Sequence, residues 1–150
     1  MQIMLEKAYP LIGGFLGVIL AFISKFNLLE IESYKEIMSS SISLGSIAVG
    51  FLAAAITLLP SLSNNELVKN LKRLGAYQKL LLYIIKAIIG LFIISILSIV
   101  GLFITNISIG IVRDLFGYTW IFIFIVAILS IIRVIHLFLK FLVLTQNNID

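Results

Sequence analysis

The sequence predicts an all-α membrane protein with four transmembrane helices, and three observations lead to this fold class. Hydrophobic residues make up 61% and charged residues 12% of the chain, against roughly 45–50% and roughly 25% in soluble proteins. The mean hydropathy is +1.20 over 150 residues, and a chain of this length cannot bury so much apolar surface. The apolar residues form long stretches without strand-like alternation. A soluble enzyme, a disordered chain and, because cysteine is absent, a disulfide scaffold are excluded.

Four stretches are long enough to cross the membrane, since about 20 apolar residues span about 30 Å of hydrocarbon. The predicted spans, which together make residues 1–150 a single transmembrane domain, are 8–24, 42–62, 80–105 and 115–144. We interpret the first as a retained helix rather than a cleaved signal peptide, because Glu6 offsets Lys7 and no small-x-small site follows. The second carries no charge, and the third carries only Lys86 near its start.

Two connecting segments have patterns of their own. In residues 27–40, apolar side chains recur at helical spacing, which fits either a short amphipathic helix on the outer surface or a plain loop. Between the second and third spans, Ser63 and Glu66 match a capping box, and leucines at i, i+4 and i+7 follow. We therefore expect a short cytoplasmic helix over 63–75 that turns Lys69, Lys72 and Arg73 away from its apolar face. Gly75 fits either the end of this helix or a flexible point before the third span.

The lysines and arginines predict the orientation of the four helices. An even number of spans places both termini on the same side as the loop between the second and third helices. That side has a net charge of +5 and the other side −1, which together give the +4 of the chain. Basic loops stay in the cytoplasm, so both termini are expected there.

Two helices carry stripes of small residues four positions apart. The first span has Gly13, Gly17 and Ala21; the second has Ser46, Gly50 and Ala54. Such stripes let membrane helices approach closely. They fit packing within one subunit, packing between subunits, or the wall of a narrow pore.

Acidic residues are missing from the predicted spans, and this excludes one class of function. Coupled transporters, including the four-span small multidrug transporters, use an intramembrane carboxylate to bind the coupling ion. The chain also lacks catalytic or metal-binding motifs, and His136 is its only histidine. We therefore expect neither an enzyme, nor a cofactor, nor a metal site.

Basic residues gather near the cytoplasmic ends of the last two spans. Arg133, His136 and Lys140 share one face of the fourth helix, and Lys79 and Lys86 share one face of the third. These cations fit snorkelling to anionic lipid headgroups, or a cationic ring that binds a polyanion when several copies surround an axis. Tyr77 and Tyr83 beside them fit interfacial tyrosines or stacking platforms for nucleic acid.

Residues 42–90 resemble a family of small membrane proteins. The resemblance lies in three segments, Gly50-Phe51-Leu52 through Thr57-Leu58-Leu59, Asn65 to Lys69, and Leu71 to Tyr77. These segments resemble four-helix membrane proteins of bacterial anti-phage defence operons. The pattern is most similar to the membrane effector of Hailong systems, and next to the membrane subunit of Kiwa systems. It covers about a third of the chain as a pattern of apolar, glycine and basic residues.

This resemblance implies a tetrameric ion channel of the bacterial inner membrane that acts as a toxic effector. In Hailong-type systems a partner nucleotidyltransferase makes DNA oligomers that bind a basic ring and keep the channel shut. Loss of the oligomer on infection then depolarises the membrane, a form of abortive infection. Carried onto this chain, the ring falls among Lys69, Lys72, Arg73, Lys79 and Lys86.

Three functional hypotheses follow from these patterns. The first is a homo-oligomeric channel held closed by a ligand or partner. The second is a membrane sensor or anchor that recruits a soluble cytoplasmic protein through residues 63–79. The third is a holin-like lysis protein, which the capped basic loop makes less natural.

Overall fold

Helices account for nearly all of the part of the chain that the computed structural model describes, residues 2–61, 75–104 and 110–146. Within that part there are four α-helices, α1 (Gln2–Ile23), α2 (Tyr34–Ser61), α3 (Ala76–Ile104) and α4 (Gly110–Gln146). The last three contain stretches long and apolar enough to cross a membrane, Tyr34–Thr57, Tyr77–Ile104 and Gly110–Leu139, whereas the apolar part of α1 is the shorter Ala8–Ile23. The all-α prediction and the membrane-protein prediction are confirmed at this level.

The segment before α2 folds as a capped turn and not as a separate surface helix. The Asn27 side chain accepts a hydrogen bond from the Leu29 amide at 3.2 Å, and a 3₁₀ turn spans Leu28–Glu30. From this turn α2 begins at Tyr34, well before the predicted span. Leu28, Tyr34 and Met38 are buried, and the Tyr34 hydroxyl donates to the Gly101 carbonyl of α3 at 2.8 Å. The helical spacing of these residues therefore reflects their place in the protein core.

The backbone changes direction at Gly75, directly before the first residue of α3. Gly75 has a φ of 69°. This left-handed conformation is one that glycine adopts at no steric cost. A continuous helix therefore does not pass through Gly75, and α3 begins at Ala76. The predicted helix over 63–75, with Lys69, Lys72 and Arg73, otherwise lies outside the described residues.

The four helices pack as an open row in the order α1, α4, α3, α2. Among the described residues, α4 packs extensively on α1 and α3, and α3 on α2, while α1 and α2 share no extensive contact. We call this arrangement the helix row. Its two edges are α1 and α2, and each edge helix has a face without a neighbour among the described residues.

Glycines determine how closely the helices of the row approach. A methyl group on Gly13 or Gly17 of α1 would collide with Leu129 or Ile125 of α4. On the other side of the row, a methyl group on Gly45 of α2 would collide with the Ser95 hydroxyl of α3. These close approaches give the van der Waals contact on which helix association in lipid depends.

A polar contact joins α3 and α4 inside the apolar core. The Trp120 indole N–H donates to the Ser98 hydroxyl at 2.9 Å, and Ser98 is fully buried. The Trp120 ring also stacks on Phe124 with a centroid distance of 4.8 Å. A hydrogen bond between membrane helices contributes about 0.6 to 2 kcal/mol, so this pair fixes the register of α3 on α4.

Replacing Gly45 by valine is expected to destabilise the fold by about 1–3 kcal/mol, the usual cost of overpacking. The new side chain meets Ser95 and also the Leu91 carbonyl oxygen of the α3 backbone, which lies 3.2 Å from the position that the added Cβ would take. Gly50→Val is the matched control, because nothing lies within 4 Å of a methyl group there. Unfolding in a neutral detergent measures both variants, and equal losses of stability would contradict the proposed α2–α3 approach.

Candidate pore-lining face and basic residues

The unpartnered side of α2 carries only small or hydroxyl-bearing side chains along one stripe. We call this stripe the outward face of α2; its exposed members are Ser39, Ser43, Ser46, Gly50, Ala53, Ala54 and Thr57. At 100° per residue they fall within a sector of about 100°. Met38, Gly45 and Leu52, on the other side of the helix, are buried. The outward face thus runs along the length of a membrane-spanning helix.

Hydroxyl groups on the outward face of α2 donate to their own helix. Ser43 donates to the Ser39 carbonyl at 3.1 Å, Ser46 to the Ile42 carbonyl at 2.9 Å, and Thr57 to the Ala54 carbonyl at 2.8 Å. Each donor is therefore satisfied without water, which allows the residue to stand in a membrane. The hydroxyl oxygens keep lone pairs that can accept hydrogen bonds from water or contact a cation.

The opposite edge of the helix row has a different surface. Over residues 8–23 of α1, where the side chains are described, the exposed residues are large and apolar, namely Leu11, Ile12, Phe15, Leu16, Ile19, Leu20, Phe22 and Ile23. Side chains of this kind suit contact with lipid tails. The two edges of the row therefore differ: α1 exposes large apolar side chains throughout, whereas α2 exposes the small and weakly polar outward face beside the large apolar Leu44, Ile47 and Phe51.

The two stripes of small residues found in the sequence occupy different surroundings. Gly13 and Gly17 contact α4 of the same chain, and Ala21 is buried. Ser46, Gly50 and Ala54 are exposed. The sequence left packing within a subunit, packing between subunits and a pore wall open for both stripes. The geometry associates the first stripe with packing inside the chain and leaves the second without a neighbour.

The lysines of α3 differ in exposure. Lys86 is exposed and its neighbours Ile85 and Ile89 are exposed apolar residues. It follows Leu80, the first residue of the predicted span, by six positions, or about 9 Å along the helix. Lys79 is half-buried, and its ammonium nitrogen lies 5.6 Å from the centre of the Tyr83 ring.

Arg133 of α4 is buried and is therefore not part of the exposed basic face with His136 and Lys140 that the sequence predicted. Its side chain is only 7% exposed, and its guanidinium carbon lies 4.0 Å from the centre of the buried Tyr83 ring. His136 is exposed, and the side chain of Lys140 lies outside the described part of the chain. A desolvated cation on an aromatic face gains about 2 kcal/mol, which helps to offset the cost of burying the charge. Arg133 and Lys79 also interact with other parts of the chain.

Sequence reasoning missed two features of this surface. Ser39 and Ser43 extend the outward face of α2, and they precede Ser46 at i−7 and i−3, but the predicted span began after Ser39. The contact of Arg133 with Tyr83 joins two helices, so no spacing within one helix indicates it.

Comparison with protein-family models, curated proteins and solved structures finds no match to this chain. The fold and its surfaces therefore define only a class, an all-helical protein with three helices of membrane-spanning length.

Tyr83→Leu is expected to lower the free energy of unfolding by about 2 kcal/mol, because Arg133 loses the aromatic face that it covers. Tyr83→Phe keeps the ring and should not show this loss. Tyr118→Leu is the control at the opposite end of α4, where the ring lies 6.0 Å from that of Phe22, centroid to centroid. Thermal unfolding in detergent measures all three, and equal effects of Tyr83→Leu and Tyr118→Leu would contradict the assignment.

Proposed function

We propose that the chain assembles into a homo-oligomeric ion channel, a tetramer, whose pore is lined by the outward face of α2. The observation that carries this proposal is the contrast between the two edges of the helix row. In the proposed assembly α1 contacts lipid and α2 stands closest to the symmetry axis. Both termini and the basic ends of α3 and α4 face the cytoplasm.

The small side chains of α2 support its place at the axis. Ser46, Gly50 and Ala54 project little from the backbone, so helices from several copies can surround a narrow water-filled space. Serine and threonine oxygens on the same face can replace part of an ion's hydration shell. A helix face that contacts lipid needs neither small side chains nor hydroxyl oxygens. The exposed large apolar side chains of α1 suit contact with lipid.

The placement of acidic residues supports a channel over a coupled transporter. Glu36 lies in the first turn of α2, Asp114 is the fifth residue of α4, and both side chains are exposed. Apart from these two residues, the membrane-length stretches of α2, α3 and α4 contain no carboxylate. A carboxylate that binds a coupling ion in the middle of the membrane is therefore lacking in these stretches.

For the biological role, the resemblance to Hailong-type effectors supports a gated toxic channel in anti-phage defence that depolarises the inner membrane when it opens. The proposed control is a cytoplasmic basic ring that binds a polyanion such as a DNA oligomer. Lys86 supports this part, because an exposed cation among apolar side chains needs water or an anion nearby. Lys69, Lys72, Arg73 and Lys79 complete the proposed ring.

The absence of cysteine from the chain makes a direct test of the pore-lining face practical. In separate variants, a single cysteine replaces Ser46 or Gly50 on α2. Single cysteines that replace Leu16 or Ile19 on α1 are the matched controls. Ion flux through proteoliposomes is measured before and after a charged, membrane-impermeant thiol reagent is added. We expect the reagent to reduce flux at positions 46 and 50, where it narrows the pore, and to leave flux at positions 16 and 19 unchanged.

The opposite pattern, or flux that no α2 cysteine alters, would contradict the lining. An absence of flux from every variant and from the parent protein under opening conditions would contradict the channel itself. If the protein conducts no ions but binds a soluble cytoplasmic protein, the sensor or anchor hypothesis would be favoured.

A charge reversal at Lys86 tests the control by a polyanion. Lys86→Glu should weaken binding of a single-stranded DNA oligomer by about tenfold at low salt, because one phosphate contact becomes a repulsion. In cells that carry the closing ligand, the variant should depolarise the membrane without infection, as a voltage-sensitive dye would report. Lys25→Glu is the control, an exposed lysine that follows α1. Equal behaviour of the two variants would contradict the role of Lys86.

A further inference from the structure

We propose that Tyr83, Arg133 and Lys79 form a binding site for the phosphate group of an anionic phospholipid. We call these three residues the Tyr83 cluster. The phospholipid belongs to the leaflet that surrounds this end of α3 and α4. The inference does not depend on the channel proposal.

Two cations converge on one buried ring in the Tyr83 cluster. The Arg133 guanidinium carbon lies 4.0 Å from the ring centre, and the Lys79 ammonium nitrogen lies 5.6 Å from it. Tyr83 is 3% exposed and Arg133 7% exposed. Both cations therefore lie beside the same tyrosine, and charged donors of this kind make strong hydrogen bonds to phosphate oxygens.

The Tyr83 hydroxyl supplies an independent observation. It is buried and has no hydrogen-bond partner among the described residues. Buried hydroxyl groups in proteins almost always have a partner, so the group is suited to donate to an oxygen that arrives with a ligand. Beside two cations, the fitting acceptor is anionic, and a phosphate has several such oxygens.

Depth in the membrane indicates a lipid as the source of the phosphate. Arg113 and Arg133 are 20 residues apart on α4, which corresponds to about 30 Å along the helix. This length equals the thickness of the hydrocarbon core, a spacing that fits one arginine at the headgroup level of each leaflet. Leu82 and Ile132, directly beside Tyr83 and Arg133 in sequence, are 56% and 51% exposed and can contact acyl chains.

Access to the hydroxyl requires a side chain to move, because the group is enclosed in the free chain. Lys79 precedes Tyr83 by one helical turn and lies near the first residue of α3. Its long flexible side chain can swing from the ring to the phosphate while keeping its charge near the site. We therefore expect binding to replace the Lys79–ring contact with a Lys79–phosphate contact.

The experiment compares lipid binding by the full-length protein purified in a neutral detergent. Phosphatidylglycerol and phosphatidylcholine with identical acyl chains are titrated, and native mass spectrometry and the Tm report binding. We expect phosphatidylglycerol, and not phosphatidylcholine, to raise the Tm. The phosphatidylglycerol concentration for half saturation should rise about tenfold in Tyr83→Phe and in Arg133→Gln, and Lys25→Gln should match the parent protein.

A measurement without lipid separates lost binding from damaged folding. Tyr83→Phe removes a buried hydroxyl without a partner, so its Tm in neutral detergent should equal or exceed that of the parent. Equal responses to the two lipids, or an unchanged lipid response in Tyr83→Phe, would overturn the proposal. If inorganic phosphate alone saturates the Tyr83 cluster, the phosphate group that binds there does not need to come from a lipid, and this part of the proposal would be overturned. Displacement of the lipid by a DNA oligomer that needs the same residues would assign the site to a soluble polyanion.

Discussion

Close approach between helix backbones is the constraint on which the rest of this structure depends. Lipid gives apolar helices no hydrophobic reason to associate, so packing and a few polar contacts must hold them together. In this chain Gly13 and Gly17 admit α4 onto α1, and Gly45 admits α3 onto α2. The Trp120–Ser98 hydrogen bond adds a directional contact between α3 and α4. Together these contacts produce a row of helices.

The open row leaves two edges, and the proposed function follows from their difference. Small residues on α1 are used inside the chain, whereas Gly50 on α2 has nothing within 4 Å of its methyl position. A helix with an unused close-packing face can associate with another copy at little steric cost. Two basic residues also differ in exposure, because Arg133 is buried against the Tyr83 ring while Lys86 is exposed. Arg133 is thus held inside the chain, at the site proposed for a lipid phosphate, whereas Lys86 is accessible to a soluble ligand.

Much of the fold could be predicted from the sequence because it depends on local patterns. Apolar stretches predicted the helices, and a helix end or a flexible point was expected at Gly75, where glycine adopts its positive φ without steric cost. The order of the row could not be predicted, because a stripe such as Gly13–Gly17 indicates a close contact without naming its partner. The same limit applied to Ser46 and Gly50, whose spacing resembles that of the α1 stripe although their surroundings differ. The burial of Arg133 depends on a tyrosine of another helix, and spacing within α4 carries no information about it.

Distances between copies test the central claim that α2 stands nearest the symmetry axis. Spin labels attached to single cysteines at position 50 or position 19, in the otherwise cysteine-free chain, report these distances by pulsed electron resonance in lipid nanodiscs. Three interhelical steps of about 8–10 Å separate the edges of the row. We therefore predict that distances between copies at position 19 exceed those at position 50 by more than about 20 Å. Shorter distances at position 19, or no coupling between copies at either position, would contradict the account.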